Sequence, residues 1–360
     1  LFNFDKAALE TFFIDNGEKR FRAEQVLKWI YHEGELDIDK WTNLSKACRA
    51  FLHAETTLTL PKIITAQHSS DGTIKWMLQL PDTNGSQNAV EMVFIPENDR
   101  GTLCISSQAG CALACPFCST AHEGFNRNLS TAEIIGQVWL AIKALGWQKG
   151  GKRKVTNVVL MGMGEPLLNY KSVVAACNLM MDDLGFGLSK RRVTLSTSGV
   201  VPKIYDLKRD SDVALAVSLH APTDALRDKI VPINQKYPIA ELMAACRDFV
   251  DDREQKKHIT WEYVMLKNVN DSLEHAKSLF KLVNGIPGKI NLIPFNVFPG
   301  TSFEASDPAQ ITKFQNFLAK KGAVITVRRT RGDDIAAACG QLVGEVKDKS
   351  RRERILLRGA

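Results

Sequence analysis

The chain has 360 residues and 40.0 kDa, with 44% hydrophobic and 24% charged residues. That is the composition of a soluble globular protein with room for one large domain or two to three smaller ones. No apolar run reaches the roughly 18 residues of a membrane span, and residues 1–22 are too charged for a signal peptide, so a trimmed cytoplasmic protein without membrane contact is expected. The net charge of +7 includes clusters at Lys149/Lys152/Arg153/Lys154, Arg191/Arg192, Arg328/Arg329/Arg331 and Lys347–Arg354, a balance that suits a polyanionic partner such as nucleic acid.

Residues 1–60 read as helical. In "FRAEQVLKWIYHEG", Phe21, Val26, Trp29 and Ile30 share a helical face and Gly34 ends the run. Residues 61–100 read as a short β extension: "TIKWMLQL" and "NAVEMVFI" alternate as strands do, and Asp71-Gly72 marks a hairpin turn. From 101 to about 330, strands and helices alternate. "TLCISSQ" is followed by "STAEIIGQVWLAIKALG", a helix with a Ser130-to-Glu133 capping box. The near-continuous apolar runs "VTNVVLMG", "RVTLSTSG", "VALAVSLH", "ITWEYVML" and "KINLIPFN" read as buried parallel strands separated by helices. Six or so such strands with crossover helices make an α/β fold, an open or closed barrel whose chemistry belongs at the strand C-termini. Residues 331–360 form a separate C-terminal segment.

Cys111, Cys115 and Cys118 form a C-x3-C-x2-C loop after "TLCISSQ", with no fourth cysteine following nearby. Three thiolates at this spacing suit a [4Fe–4S] cluster with one iron left open. Zinc completed by His122 is the alternative, because Cys115-x2-Cys118-x3-His122 is plausible zinc spacing. At the other strand ends lie Gly164 and Glu165 in "GEP", Ser196 in "STSG", Ser218, Leu219 and His220 in "SLH", and Asn296 in "PFN". A carboxylate there can receive an ammonium, and the polar groups around it suit a ligand with several hydrogen-bonding groups.

C-x3-C-x2-C followed by "GEP" resembles the radical S-adenosylmethionine superfamily. The strings "GCALACPFCSTAHEGFNRNL", "VVLMGMGEPLLNY", "TLSTSG", "SLHAPTDALRDKIVPIN" and "NLIPFN" resemble its dual-specificity RNA adenine carbon 2 methyltransferases, with carbon 8 antibiotic-resistance methyltransferases as close relatives. The likeness runs from about residue 20 to 350. It implies a partial (β/α)6 radical S-adenosylmethionine barrel with an N-terminal helical accessory domain (1–60) for RNA. It further implies a [4Fe–4S] cluster on Cys111, Cys115 and Cys118, whose open iron is chelated by S-adenosylmethionine. Gly164 and Glu165 would hold the cofactor's amino group, and Ser196, Ser218–His220 and Asn296 the rest of it.

The same resemblance implies that Cys339, in the C-terminal segment, is a methyl carrier, with two S-adenosylmethionine molecules used per turnover. Cys104 would be the resolving thiol and Glu91 the base that removes the ring proton. The implied substrates are 23S rRNA and tRNA, the implied electron donor a low-potential protein such as flavodoxin, and the expected state a monomer. Adenine carbon 2 is electrophilic and ordinary methyl displacement onto it fails; a carbon radical is one route around that, and cofactor chemistry supplies it. A thiol suits the carrier role because sulfur accepts a methyl and later leaves by disulfide exchange.

Overall fold

The computed structural model describes residues 1–81, 87–146, 153–251 and 257–346. Lys149 and Lys152 and the basic cluster at 347–354 lie outside the described residues. Among the described residues no helix is long and apolar enough to cross a membrane.

The chain opens with α1 (Lys6–Asp15), whose first turn is capped by the Asp5 side chain accepting from the Ala8 N–H. Next comes α2 (Arg22–Leu27), which runs into a π-helical turn at Lys28–Glu33 and stops at Gly34, in the left-handed region at φ 63°. Ser45 caps α3 (Lys46–Glu55). These helices bury Leu9, Phe13, Val26, Ile30, Trp41 and Leu52 between them. Polar and aromatic contacts fasten the bundle to the α/β part of the chain. Trp139 donates to the Ile30 carbonyl at 3.1 Å, Lys143 to the Gly34 carbonyl at 3.2 Å, and Tyr31 meets the edge of Phe186 at 5.1 Å.

A hairpin of β1 (Lys62–His68) and β2 (Ile74–Gln79) then leads to β3 (Ala89–Pro96) and β4 (Gly101–Cys104), all antiparallel. β1 is exposed along its whole length, so it lacks the one-sided alternation by which a strand is recognised in sequence. The cysteine loop is framed by a small two-stranded sheet, β5 (Gln108–Gly110) and β6 (Phe125–Asn128), with the short α4 (Ser119–His122) between them. α5 (Thr131–Ala144) comes next, with both hydrogen bonds of the Ser130–Glu133 capping box in place.

From there strands and helices alternate: β7 (Asn157–Leu160), α6 (Tyr170–Met181), β8 (Val193–Thr197), α7 (Val201–Asp210), β9 (Ala214–Ser218), α8 (Asp224–Ile230) and α9 (Ile239–Val250). Then come β10 (Ile259–Met265), α10 (Leu273–Val283), β11 (Gly288–Pro294), α11 (Pro308–Lys320) and β12 (Ile325–Val327). Among the described residues the main sheet has ten strands, in the order β1-β2-β3-β4-β7-β8-β9-β10-β11-β12. Its parallel part runs from β4 through β7 to β11, with the three-residue β12 at the edge. Val158, Leu160, Val193, Leu195, Leu215, Val217 and Ile259 are buried in it, which is why these strands read as apolar runs. Because every parallel connection crosses over through helical segments, all the parallel strands end at the same rim.

Candidate active site

The cysteine loop is held by backbone. Gly110 has φ +78° and a Cβ there would lie 2.1 Å from the Gly124 carbonyl oxygen, so β5 and β6 close only around a glycine. The neighbouring Cys111 N–H donates to that same carbonyl at 2.7 Å, and the Cys118 N–H to the Cys115 carbonyl at 3.1 Å. Cys111 and Cys115 are buried, Cys118 half-buried, and all three line one cavity at the strand C-termini. Burial pushes the Cys115 thiol well up, and the neighbouring Cys111 and Cys118 push it further.

Glu165 enters the cavity from the end of β7 and is almost fully buried. Its Oε1 accepts from the Leu167 N–H at 3.0 Å and the Thr197 hydroxyl at 2.8 Å, and its Oε2 from the Ser198 N–H at 2.7 Å. Burial raises its pKa against these donors. Among the described residues no cation pairs with this carboxylate, so it has room electrostatically for an ammonium group. Gly164, at φ +102°, is required beside it: a Cβ would fall 2.6 Å from the Gln108 side chain, whose Oε1 accepts from the Glu165 N–H at 2.9 Å.

Ser196, Ser218, His220 and Asn296 line the same cavity. Between Ser218 and His220, Leu219 turns its side chain into the hydrophobic core, where it is fully buried. It touches the site only through its backbone, the N–H donating to the Glu262 carbonyl and the carbonyl accepting from Arg227 Nε. His220 sits at φ 59° with its ring on edge against Phe117, 4.9 Å between centroids. Its Nδ1 faces the Val264 N–H at 3.1 Å and so accepts, which leaves Nε2–H as the donor available to the cavity. Burial, reinforced by nearby Arg227, pushes its pKa down to about 3 and keeps the ring neutral.

The residues 332–346 form a strap across this rim. Gly332 donates to Asp71, Cys339 offers its carbonyl to Asn296 Nδ2 at 3.2 Å, and Gln341 donates to the Val297 carbonyl. Gly340 and Leu342 accept from Ser119 and Thr120 of the cysteine loop at 2.8 and 2.7 Å. The strap therefore places Cys339 on the wall of the cavity that holds the three cysteines. Cys104 lies behind it at the end of β4, buried, its thiol pushed up to about 12 by burial and then by Cys339. Both are free thiols. Glu91, buried on β3, accepts from the strap's Val343 N–H at 2.9 Å and pairs with Lys75 at 3.1 Å.

Three further residues complete the site. Arg328 sits in a basic cluster that reads as surface in the sequence, but its guanidinium hydrogen-bonds Cys339 and is held charged chiefly by that thiol. Glu262, buried on β10 and lining the cavity, faces Arg328 and accepts from Asn291 at 3.2 Å. Arg227 is fully buried: Nε bonds the Leu219 carbonyl, Nη2 the Ser198 and Ser218 carbonyls, and Nη1 Asn234 Oδ1. It thereby knits the ends of β8 and β9 together. Glu262 carries a sequence signal, a carboxylate inside an apolar strand, whereas Arg227 in "DALRDK" looks like an ordinary helix surface residue.

The donor set fits a [4Fe–4S] cluster with an amino-acid-like ligand: three soft sulfurs on one wall, and a buried carboxylate without a cation in the same cavity. A tetrahedral zinc site here would need His122 as its fourth ligand. His122 is engaged elsewhere, its Nε2 3.1 Å from the Pro116 carbonyl and its ring on edge to Phe298.

Comparison with known proteins bears on the same point. Residues 1–58 match the ribosomal RNA large subunit methyltransferase N-terminal domain, and residues 105–280 match the radical SAM superfamily. The chain is 58% identical to the dual-specificity RNA methyltransferase RlmN of Dichelobacter nodosus, covering 98% of this chain and 96% of that one. It is 53% identical to RlmN of Stenotrophomonas maltophilia strain K279a, over 98% and 90% of the two chains. A radical SAM methyltransferase structure from Sphaerobacter thermophilus superposes with a TM-score of 0.86 at 40% identity, covering 95% of this chain and 98% of that one. The chain belongs to the RlmN family of RNA methyltransferases, radical S-adenosylmethionine enzymes that use a [4Fe–4S] cluster.

Proposed function

We propose that this enzyme methylates carbon 2 of adenine in both 23S rRNA and tRNA, with Cys339 as the methyl carrier. The observation that carries the reading is the strap, which sets Cys339 on the wall of the cysteine-lined cavity with Cys104 and Glu91 behind it. Cys111, Cys115 and Cys118 are the residues to hold the cluster, and Glu165, with Gly164 beside it, the group to take the ammonium of S-adenosylmethionine. Ser196, Ser218 and the Nε2–H of His220 offer hydrogen bonds to the remainder, and Asn296 links that pocket to the carrier loop through the Cys339 carbonyl. When bound, the cluster and S-adenosylmethionine supply a methyl group and one-electron hydrogen abstraction.

The protein's own residues do the rest. Cys339 Sγ carries the one-carbon unit to the ring; burial pushes its thiol up, and Arg328 beside it works against that, favouring the thiolate, the nucleophilic form. Glu91 takes the ring proton, the bonding pair staying with the ring, and the unpaired electron that radical addition leaves there would pass back to the one-electron carrier. Cys104 thiolate then attacks Cys339 Sγ. An S–S bond forms, the S–C bond breaks, and its electron pair goes to the methylene carbon, which picks up a proton to become the methyl group. The target base must be unstacked to reach the rim, and the exposed basic residues together with the N-terminal helices offer phosphate contacts. A low-potential donor such as flavodoxin, a monomeric state and a cytoplasmic location complete the reading.

The experiment is nucleoside analysis of 23S rRNA and tRNA after anaerobic reaction with the reconstituted enzyme. The expected product is 2-methyladenosine in both RNAs. 8-Methyladenosine in its place would transfer the enzyme to the carbon 8 branch.

A further inference from the structure

Lys75 and Glu91 are diagonal neighbours across β2 and β3: Lys75 pairs with Val93 in the ladder, two residues from Glu91. Both are buried, with side-chain exposures of 9% and 4%. A lysine is seldom taken out of water on a sheet face, because desolvating an ammonium costs several kcal/mol unless its partners are well placed. Here the ammonium has two: the Glu91 carboxylate at 3.1 Å, and the carbonyl of Ala336 in the strap at 3.3 Å. Ala336 is itself in the left-handed region, φ 48°, a conformation that strains an L-residue and is kept only where the surroundings impose it. The other oxygen of Glu91 accepts from Val343, further along the same strap. One ammonium and one carboxylate thus grip the strap at two places, three residues before Cys339 and four after it.

We propose that Lys75 is a positioning residue for the base, assembling Glu91 and the Cys339 strap into one unit and keeping Glu91 ionised. The proposal rests on the reading of Glu91 as the base. Burial is the largest influence and holds the Glu91 carboxyl above its usual range, towards the neutral acid, which cannot accept a proton; the Lys75 charge and the Val343 N–H work against it. Among the described residues the charged group facing Glu91 is Lys75, from β2; from the strap Glu91 meets a backbone N–H, and Ser106, two residues beyond β4, donates its hydroxyl to the Glu91 backbone carbonyl. The step concerned is a simple proton transfer from ring carbon to carboxylate oxygen. No electron passes through Lys75 or Glu91.

The test compares wild type with Lys75→Met, Lys75→Gln, Lys75→Arg and Glu91→Gln, each reconstituted anaerobically and reacted with an rRNA fragment. Covalent RNA–protein adduct is read on denaturing gels, Cys339 S-methylation by mass spectrometry, and iron content by assay. Lys75→Met and Lys75→Gln are expected to accumulate adduct, resolving it about tenfold or more slowly at neutral pH, as befits an impaired general base. Raising the pH should restore resolution, because losing the cation moves Glu91 ionisation upward. Lys75→Arg should resolve adduct close to wild type. Iron and S-methylation should be retained in all. Trapping by Glu91→Gln with normal turnover by both neutral Lys75 variants would overturn the proposal while leaving the base reading standing. Normal turnover by Glu91→Gln would overturn both. Loss of iron or S-methylation in the neutral variants would also overturn it, reducing Lys75 to a fold residue.

Discussion

At the scale of single residues, the site is built from groups whose burial sets their charge state. His220 is neutral in the folded protein, with its pKa lowered to about 3, whereas in the unfolded chain it titrates near the ordinary value of 6.5. Its contribution to stability is therefore fully present above pH 6.5 and is lost as pH falls from there towards 3, because the unfolded state gains a proton that the folded state refuses. The slope within that window approaches about 1.4 kcal/mol per pH unit. His220→Asn, which tolerates positive φ, should flatten this acid-side fall by up to that amount. Urea unfolding of the cluster-free protein between pH 7 and pH 5 measures it. An unchanged slope would mean that the ring is not held neutral. Arg328 illustrates the opposite device: a cation whose first electrostatic partner is the Cys339 thiol, and which also feels Glu262 and Cys104. It offsets part of what burial costs the two thiolates.

At the scale of elements, the chemistry is arranged by loops with no freedom to relax. The β5–β6 hairpin closes because Gly110 lets the backbone come within reach of the Gly124 carbonyl, and the next residue is a cysteine of the triad. Gly110→Ala adds a methyl group 2.1 Å from that oxygen and strains a positive φ. The hairpin must open, carrying Cys111 with it. The expected outcome is iron content reduced to less than half of wild type after reconstitution, with the circular dichroism of the α/β sheet retained. Full iron loading would show that the hairpin does not position the thiols. Arg227 plays the corresponding part on the other side, where three of the four hydrogen bonds from one guanidinium hold the Ser198, Ser218 and Leu219 carbonyls at the ends of β8 and β9.

At the scale of the whole molecule, one rim collects residues separated by more than two hundred positions, from Glu91 to Cys339. Much of this is legible in the sequence for a physical reason: parallel strands buried on both faces must be apolar, so their ends stand out where polar residues begin. The three cysteines, Glu165, Ser196, Ser218, His220 and Asn296 all obey that rule. Leu219, between Ser218 and His220, turns its side chain into the core. β1 is hidden in the sequence because both its faces are exposed. Arg227, Arg328 and Lys75 are illegible as site residues because charge in a sequence reads as surface, and only the tertiary packing decides that these three turn inward. The strap is visible only as a cysteine in an ordinary segment, since its shape depends on bonds to Asp71, Glu91, Asn296 and the cysteine loop.

On the proposed reading, Cys339 carries the carbon to the RNA and Cys104 releases it. The most direct measurement of that division of labour is mass spectrometry of the Cys104→Ala enzyme after anaerobic turnover with RNA, with Cys104→Ala/Cys339→Ala as the control. The prediction is an RNA nucleotide covalently linked at Cys339 in the single variant and nothing linked in the double variant. Release of free methylated RNA by Cys104→Ala at the wild-type rate, with no linkage at Cys339, would contradict it.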